Sequence, residues 1–313
     1  MILIIGGTGY IGGRLSKAFD HAGIDHLIGS RQLIPEKSNY RFYDLSSLDS
    51  IKKSLIGIEK IIFAAGPSSA DTYENCGCNL ADLSREFENF LHSVSDSQVK
   101  EIIYISSIHV YGKNLIGSVD ETIAPIPLLD YGRYHLVREK LLEEHAKVND
   151  ISFLSLRMSN GFGAPANSNK SCWNLLINNL ARSLVSHGRF IFNSSPQISR
   201  DFFPLSIAEN FLIELMSKSS PLPCKVLNFS MAHSLTLEEA SLKTNRIFSS
   251  LTGKTSEIVF LNQNDENYPI KKGDNFEIKN SALLQVFNKK PFDKSILDQE
   301  IKKLLQHCIE EFG

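Results

Sequence analysis

Tyr131 and His135 stand four residues apart in YGRYHLVREK, a segment that reads as the start of a helix. On a helix this spacing puts the phenol and the imidazole one turn apart on one face. Such a pair can be plain helix surface, or it can move a proton. A phenol with a pKa near 10 gives or takes one, and a fixed cation beside it makes the anion easier to form. The second segment with chemistry in it is the N-terminal IIGGTGYIGG. Gly6, Gly9 and Gly12 form a GxxGxxG between an apolar run and a helical pattern, with Thr8, Tyr10 and Ile11 among them. A tight glycine turn lets backbone N–H groups approach a pyrophosphate, and a helix N-terminus adds positive potential. The third is IGSRQ, at the end of the second apolar run, where Ser30 precedes Arg31. In a dinucleotide fold a carboxylate there binds the adenosine ribose hydroxyls, and an arginine accepts a 2′-phosphate. Serine beside arginine therefore points to NADP(H), with NAD as the alternative.

These groups need a scaffold, and the first half of the chain alternates in the way that supplies one. MILIIGG, DHLIG, RFYDL, KIIFAAG, EIIYISS and ISFLSLRMS are short strand candidates. Between them GRLSKAFDHAG, LDSIKKSLIG, LADLSREFENFLHSV and YGRYHLVREKLLEEHAKV carry helical spacing. Strands alternating with helices predict an α/β fold, a doubly wound parallel sheet of the Rossmann type. The second half is less regular. It holds NGFGAPANSNKS, RDFFPLSIAENFLIELM, the strand candidate KVLNFS and the helix candidate KSILDQEIKKLLQHCIEEF. The expected organisation is a dinucleotide-binding domain over 1–160 and a smaller substrate-binding lobe over 161–313, parts of which return to the sheet. No linker separates them, so the lobe is expected to pack against the first half.

Bulk properties narrow the class. The chain has 313 residues, 42% hydrophobic, with a formal net charge of -2 and no long run of one sign. Neither nucleic acid nor a membrane surface is an expected partner. Five cysteines do not suggest a disulfide scaffold, and Cys76 and Cys78 lack a second pair at zinc-like spacing, so no metal is expected. MILIIGG has no basic n-region, and no apolar stretch is long enough to span a bilayer, so a cytoplasmic protein is expected.

Taken together, GGTGYIG, YDLSS, FAAG, SSIHVYG, YGRYHLVRE, LRMSNGFGAP, RDFFPLSIAE and VLNFSMAHSLTLEEA resemble, in order and spacing, the extended short-chain dehydrogenase/reductases. The resemblance is to the group of nucleotide-sugar epimerases, dehydratases and reductases. It implies that Ser107 bonds the reacting oxygen and that Tyr131 gives or takes the proton. Asp44 and Leu45 would lie by the adenine, and Ala64, Ala65 and Gly66 along the cofactor. Asn160, Arg200 and Lys271 would hold a nucleotide sugar, Arg200 near its diphosphate. Relatives often dimerise through two helices per subunit, here those around Leu83–Leu91 and from Tyr131, so a homodimer is the association implied.

One position departs from the family pattern Tyr-x-x-x-Lys: the fourth residue after Tyr131 is His135. Tyr134 and Arg138 share the spacing, but the YG dipeptide, Glu139 and the distance to LRMSN favour Tyr131. The usual lysine holds the nicotinamide ribose and favours tyrosinate. An imidazole of pKa about 6.5 is charged only about a quarter of the time at pH 7. Oxidation must start from tyrosinate, which costs about 4 kcal/mol to form at pH 7, whereas ketone reduction starts from the neutral phenol. The expected activity is therefore NADPH-dependent reduction of a keto group on a nucleotide sugar, a 4-keto-6-deoxy sugar above others. The alternatives are a 4-epimerase with tightly held NAD(P), and an NADP(H)-binding sensor or scaffold without turnover. A dehydratase is disfavoured because Ile108 and His109 replace the acidic residues that follow the serine or threonine in that branch. His109 itself reads as strand-end packing rather than a second acid, and Tyr111 as structural or lining the cofactor pocket.

Overall fold

A computed structural model describes residues 1–31, 39–67, 80–112, 117–167, 170–218, 222, 225–262, 276–287 and 290–313. Its centre is a sheet of seven parallel strands. In chain order these are β1 (Ile2–Ile5), β2 (His26–Ser30), β3 (Tyr40–Phe42), β4 (Lys60–Phe63), β5 (Glu101–Ser107), β7 (Ser152–Met158) and β11 (Val226–Phe229). Across the sheet they run β11-β7-β5-β4-β1-β2-β3. The chain starts in the middle, winds out to β3, returns to β4 and winds out the other way. β1 has neighbours on both sides and all four of its residues are buried, as a central parallel strand requires.

Alternation along the strands splits the interior into two cores. Leu3, Ile5, Ile102 and Tyr104 face one way, onto helices α2 (Leu48–Ser54), α3 (Leu80–Ser95) and α4 (Asp130–Val148). Ile2, Ile4, Ile103 and Ile105 face the other way, towards α1 (Tyr10–Ala22) and α6 (Leu205–Ser217). This second core runs on without a break into the later part of the chain. It takes in Leu180 and Leu184 of α5 (Leu176–His187), Phe248 of α7 (Leu237–Thr252) and Leu304 of α9 (Ser295–Phe312). The later part thus packs directly on the sheet, and β11 joins it as an edge strand beside β7.

Smaller sheets complete the later half. β10 (Ser199–Pro204) lies between β8 (Asn160–Phe162) and β12 (Ser234–Thr236), parallel to the first and antiparallel to the second. β9 (Arg189–Phe192) pairs with β13 (Glu257–Phe260), and β6 (Gly117–Val119) with β14 (Phe276–Ile278). A short helix α8 (Ser281–Phe287) precedes α9. No helix among the described residues is long and apolar enough to cross a membrane. The described residues contain no group of His, Cys, Asp or Glu able to hold a metal, and Cys76 and Cys78 lie outside them.

The parallel sheet fixes where the site must be. Ile5 is level with Gly29 and Phe63, and Ser107 with Met158. The glycine loop, Ser30, Ala64, Ser107 and Asn160 therefore all follow or end strands at the same, C-terminal edge, where open α/β sheets bind ligands.

Candidate active site

The glycine loop closes on its neighbours by backbone contact alone. Gly6 has φ 81°, and a Cβ there would stand 2.8 Å from the Ala65 backbone. A Cβ on Gly12 would stand 2.3 Å from the Gly6 carbonyl oxygen. These two glycines let α1 start directly under the loop and bring Ala64–Ala65 against it. Gly9 is the N-cap of α1 and offers no side-chain cap, so the first N–H groups of the helix are left to other acceptors. Tyr10 differs from a plain loop residue. Its hydroxyl donates to the Gly163 carbonyl at 2.6 Å and accepts from Asn178 at 3.1 Å, so only its backbone serves the loop. Ile11 is partly buried against the core beneath the loop.

Beyond β2, Ser30 is buried and its hydroxyl lies 3.2 Å from that of Thr8. Arg31 is exposed and close enough to Asp44 for its charge to help lower that carboxyl's pKa. The larger causes of the lowering are hydrogen bonds from the Ser46 N–H and hydroxyl, at 3.0 and 2.9 Å. Leu45 packs at the margin of the core beside Tyr43.

Ser107 ends β5, and a short 3-10 turn, Ile108–Tyr111, follows it. The start of α4 sits hard against this turn. A Cβ on Gly132 would stand 2.4 Å from the His109 carbonyl oxygen, so glycine after Tyr131 permits the approach. The result is a hydrogen bond between the Tyr131 phenol and Ser107. Burial pushes the phenol up to about 12, against a smaller lowering by Ser107. Tyr134, the competing tyrosine, takes a different place: its hydroxyl would stand 3.3 Å from a Cβ on Gly66, in the loop after β4.

His135 is 5% exposed and its ring meets that of Tyr131 edge-on, 4.7 Å between centroids. Its Nδ1 is 2.8 Å from the hydroxyl of Tyr104, a core residue with no exposure. Its Nε2 is buried without a hydrogen-bond partner. Burial, with the charges of Arg138 and His109, pulls the imidazole down to about 3. The free-imidazole expectation of a quarter protonated at pH 7 is thus corrected: within the fold His135 is neutral. The cation on this stretch is Arg138, one turn on. Its guanidinium lies 4.2 Å from the Tyr134 ring centre and 4.6 Å from that of Phe87, and it donates to the Ala65 carbonyl at 3.4 Å.

A buried ion pair holds α4 in this register. Glu139 and Arg157 of β7 are both 5% exposed and joined at 2.7 Å, and Ser155 also donates to Glu139 at 2.7 Å. Arg157 in turn covers the Tyr111 ring at 4.7 Å, and the Tyr111 hydroxyl donates to Asn228 at 2.8 Å. Of its two readings Tyr111 is therefore the structural one.

In the later half, β8–β10 pairing brings Asn160 opposite Phe202, two residues from Arg200. The Asn160 amide donates to the Asp201 carbonyl at 2.8 Å, and Arg200 donates to its neighbour Ser199 at 3.0 Å. Asp201 itself is fully buried, accepts from Ser159 and from the Met231 and His233 N–H groups, and is pushed up to about 6 by burial. Lys271 lies outside the described residues.

Two contacts of these residues were not read from the sequence. His109 is bonded to Ser107, its Nδ1 2.9 Å from the hydroxyl, and its ring stands edge-on to Tyr131 at 5.3 Å. Tyr104 holds His135 from a strand whose apolar neighbours suggested only core.

Comparison with known proteins places the chain among related enzymes. The ADP-L-glycero-D-manno-heptose-6-epimerase of Brachyspira hyodysenteriae is 28% identical over 244 residues, 72% of this chain and 75% of that protein. The dTDP-6-deoxy-L-talose 4-dehydrogenase (NAD(P)(+)) of Kitasatospora kifunensis is 24% identical over 177 residues, 53% of this chain and 55% of that one. The solved structure of MoeE5 in complex with UDP-glucose and NAD superposes with a TM-score of 0.80 at 17% identity, covering 100% of this chain and 99% of its own. The description of the NAD dependent epimerase/dehydratase family fits residues 2–203, and with most of the sheet, the glycine loop and the Ser107–Tyr131 pair inside that span the chain belongs to this family of enzymes.

Proposed function

We propose that this enzyme reduces a keto group on a nucleotide-activated sugar, a 4-keto-6-deoxy sugar above others, with NADPH. The observation that carries the reading is the burial of Tyr131 and His135, which favours the neutral form of each. The phenol is neutral, bonded to Ser107, and backed by an imidazole that is neutral as well. A carbonyl oxygen resting on Ser107 and Tyr131 would receive a proton from the form that is already dominant. The bound cofactor would supply the hydride. Oxidation of an alcohol would instead start from phenolate. With the phenol at about 12, that form costs about 7 kcal/mol at pH 7. At a single pH the two values of kcat/KM stay tied by the overall equilibrium, so the preference shows in saturated rates and in pH limbs.

A nicotinamide dinucleotide fits the residues present. The uncapped start of α1, the glycines beneath it and the Ser30–Thr8 hydroxyl pair suit its phosphates and adenosine ribose. The orphaned Nε2 of His135 suits a ribose hydroxyl. Exposed Arg31 supports NADP(H); Asp44 beside it works against a 2′-phosphate, which keeps NAD as the alternative. Asn160 and Arg200 would hold the nucleotide sugar, with their local hydrogen bonds exchanged for it.

The second reading is a nucleotide-sugar epimerase, favoured by the name of the relative that shares 28% identity. A screen of nucleotide keto-sugars with NADPH oxidation as readout separates the two. A reductase consumes one NADPH per product; interconversion of an epimer pair without net turnover would overturn the reductase reading.

A further inference from the structure

We infer that His109 returns to Tyr131 the proton given to the substrate, acting through the Ser107 hydroxyl; this deepens the reductase reading and rests on it. After reduction Tyr131 is a phenolate in a buried site and must be reprotonated before the next turnover. The family's lysine position is taken here by a buried imidazole rather than an ammonium. His135 is buried, its Nδ1 is occupied by Tyr104, and its Nε2 has no partner. A route that the structure does lay out is the chain of contacts on the other side of the phenol. Tyr131 bonds Ser107, Ser107 Oγ is 2.9 Å from His109 Nδ1, and the His109 backbone N–H also points at that oxygen, at 3.3 Å. His109 is half-buried, whereas Tyr131 and His135 are buried, so among these rings it is the one with a side towards solvent.

The step balances within the protein and water. Ser107 O–H gives its proton to the Tyr131 phenolate, and His109 Nδ1–H gives its proton to Ser107 Oγ. Nε2 of His109 takes one from water in exchange. The ring begins and ends neutral, and tautomer exchange through water resets it. Only O–H and N–H bonds change. The titratable groups facing His109 include Tyr131 and His135, both on α4. His109 acts through Ser107 and is a positioning and proton-supplying residue rather than a catalytic one.

The test uses the full-length chain with NADPH. His109→Ala should keep single-turnover hydride transfer to a keto-sugar within about threefold, while steady-state kcat falls about a hundredfold, as for loss of a general acid. Free imidazole should restore most of the loss, and His109→Gln should not. Unchanged kcat, or a loss in both rates that imidazole leaves untouched, would overturn the relay. A substrate-free readout accompanies it: ¹⁵N-imidazole NMR titration of the wild type and of Ser107→Ala. The His109 midpoint should move when the Ser107 hydroxyl is removed, and an unmoved midpoint would overturn the proposal. A moved midpoint with no keto-sugar reduced by the wild type would overturn the reductase reading and leave the hydrogen-bonded chain standing.

Discussion

Restoring the family's cation in place of His135 tests the electrostatic reasoning most fully. In the wild type the Tyr131 phenol sits at about 12, so at pH 7 about one molecule in 10⁵ carries phenolate. A cation within about 4–6 Å lowers an acid's pKa by about 1–3 units. His135→Lys puts an ammonium beside the phenol, because the two rings now meet at 4.7 Å. Arg138, whose charge already weighs against a proton on His135, opposes a second cation there, and burial opposes it too. The shift should therefore fall at the small end, about one to two units. The assay is the pH dependence of kcat/KM for oxidation of a nucleotide-6-deoxy-sugar by NADP+, followed at 340 nm. The acid limb of that profile should move down by the same one to two units, with the saturated oxidative rate at pH 7 rising about ten- to a hundredfold. Circular dichroism at each pH checks that the variant is folded. A limb that stays in place in a folded, cofactor-binding variant would refute the claim that a cation at position 135 eases formation of the Tyr131 phenolate.

Three further outcomes follow from the same contacts. Glu139→Ala leaves Arg157 buried and unpaired and should cost about 3–5 kcal/mol in urea-denaturation stability, with activity lost in step as α4 loosens. His135 is neutral in the fold but takes a proton below its ordinary pKa once unfolded, so its contribution is lost as pH falls. Asp201, raised to about 6, acts in the opposite sense over the same range, and comparison with His135→Gln cancels it. The wild type should lose about 2 kcal/mol relative to that variant between pH 7 and pH 5, measured by urea denaturation. Arg31→Glu should weaken NADPH binding at least tenfold and leave NADH binding within about threefold, measured by cofactor fluorescence.

The doubly wound sheet was legible because βα alternation with buried apolar strands has few other solutions. Its strands landed within three residues of the apolar runs, and KVLNFS proved to be the edge strand β11. β9, β12, β13 and β14 were not legible: they are three or four residues long and take partners distant in sequence, so local pattern carries little of them. In the site, Tyr131 stood out by spacing, since the turn of a helix fixes which residues share a face. The state of His135 did not, because it depends first on burial and then on the charge of Arg138, held over Phe87 from α3, while Tyr104 from β5 takes its Nδ1. His109 read as packing for a similar reason. Its bond to Ser107 arises only where β5 turns into the short 3-10 helix and Gly132 lets α4 close on it.

The reaction proposed is hydride transfer from NADPH to a keto-sugar with Tyr131 as proton donor. The most direct measurement incubates the protein with nucleotide 4-keto-6-deoxy sugar and NADPH deuterated at the transferable position of the nicotinamide, then analyses the sugar by NMR. One deuterium on the former carbonyl carbon and one NADP+ formed per product are expected, both abolished in Tyr131→Phe. Epimerised sugar with the cofactor unspent, or turnover that survives Tyr131→Phe, would contradict it.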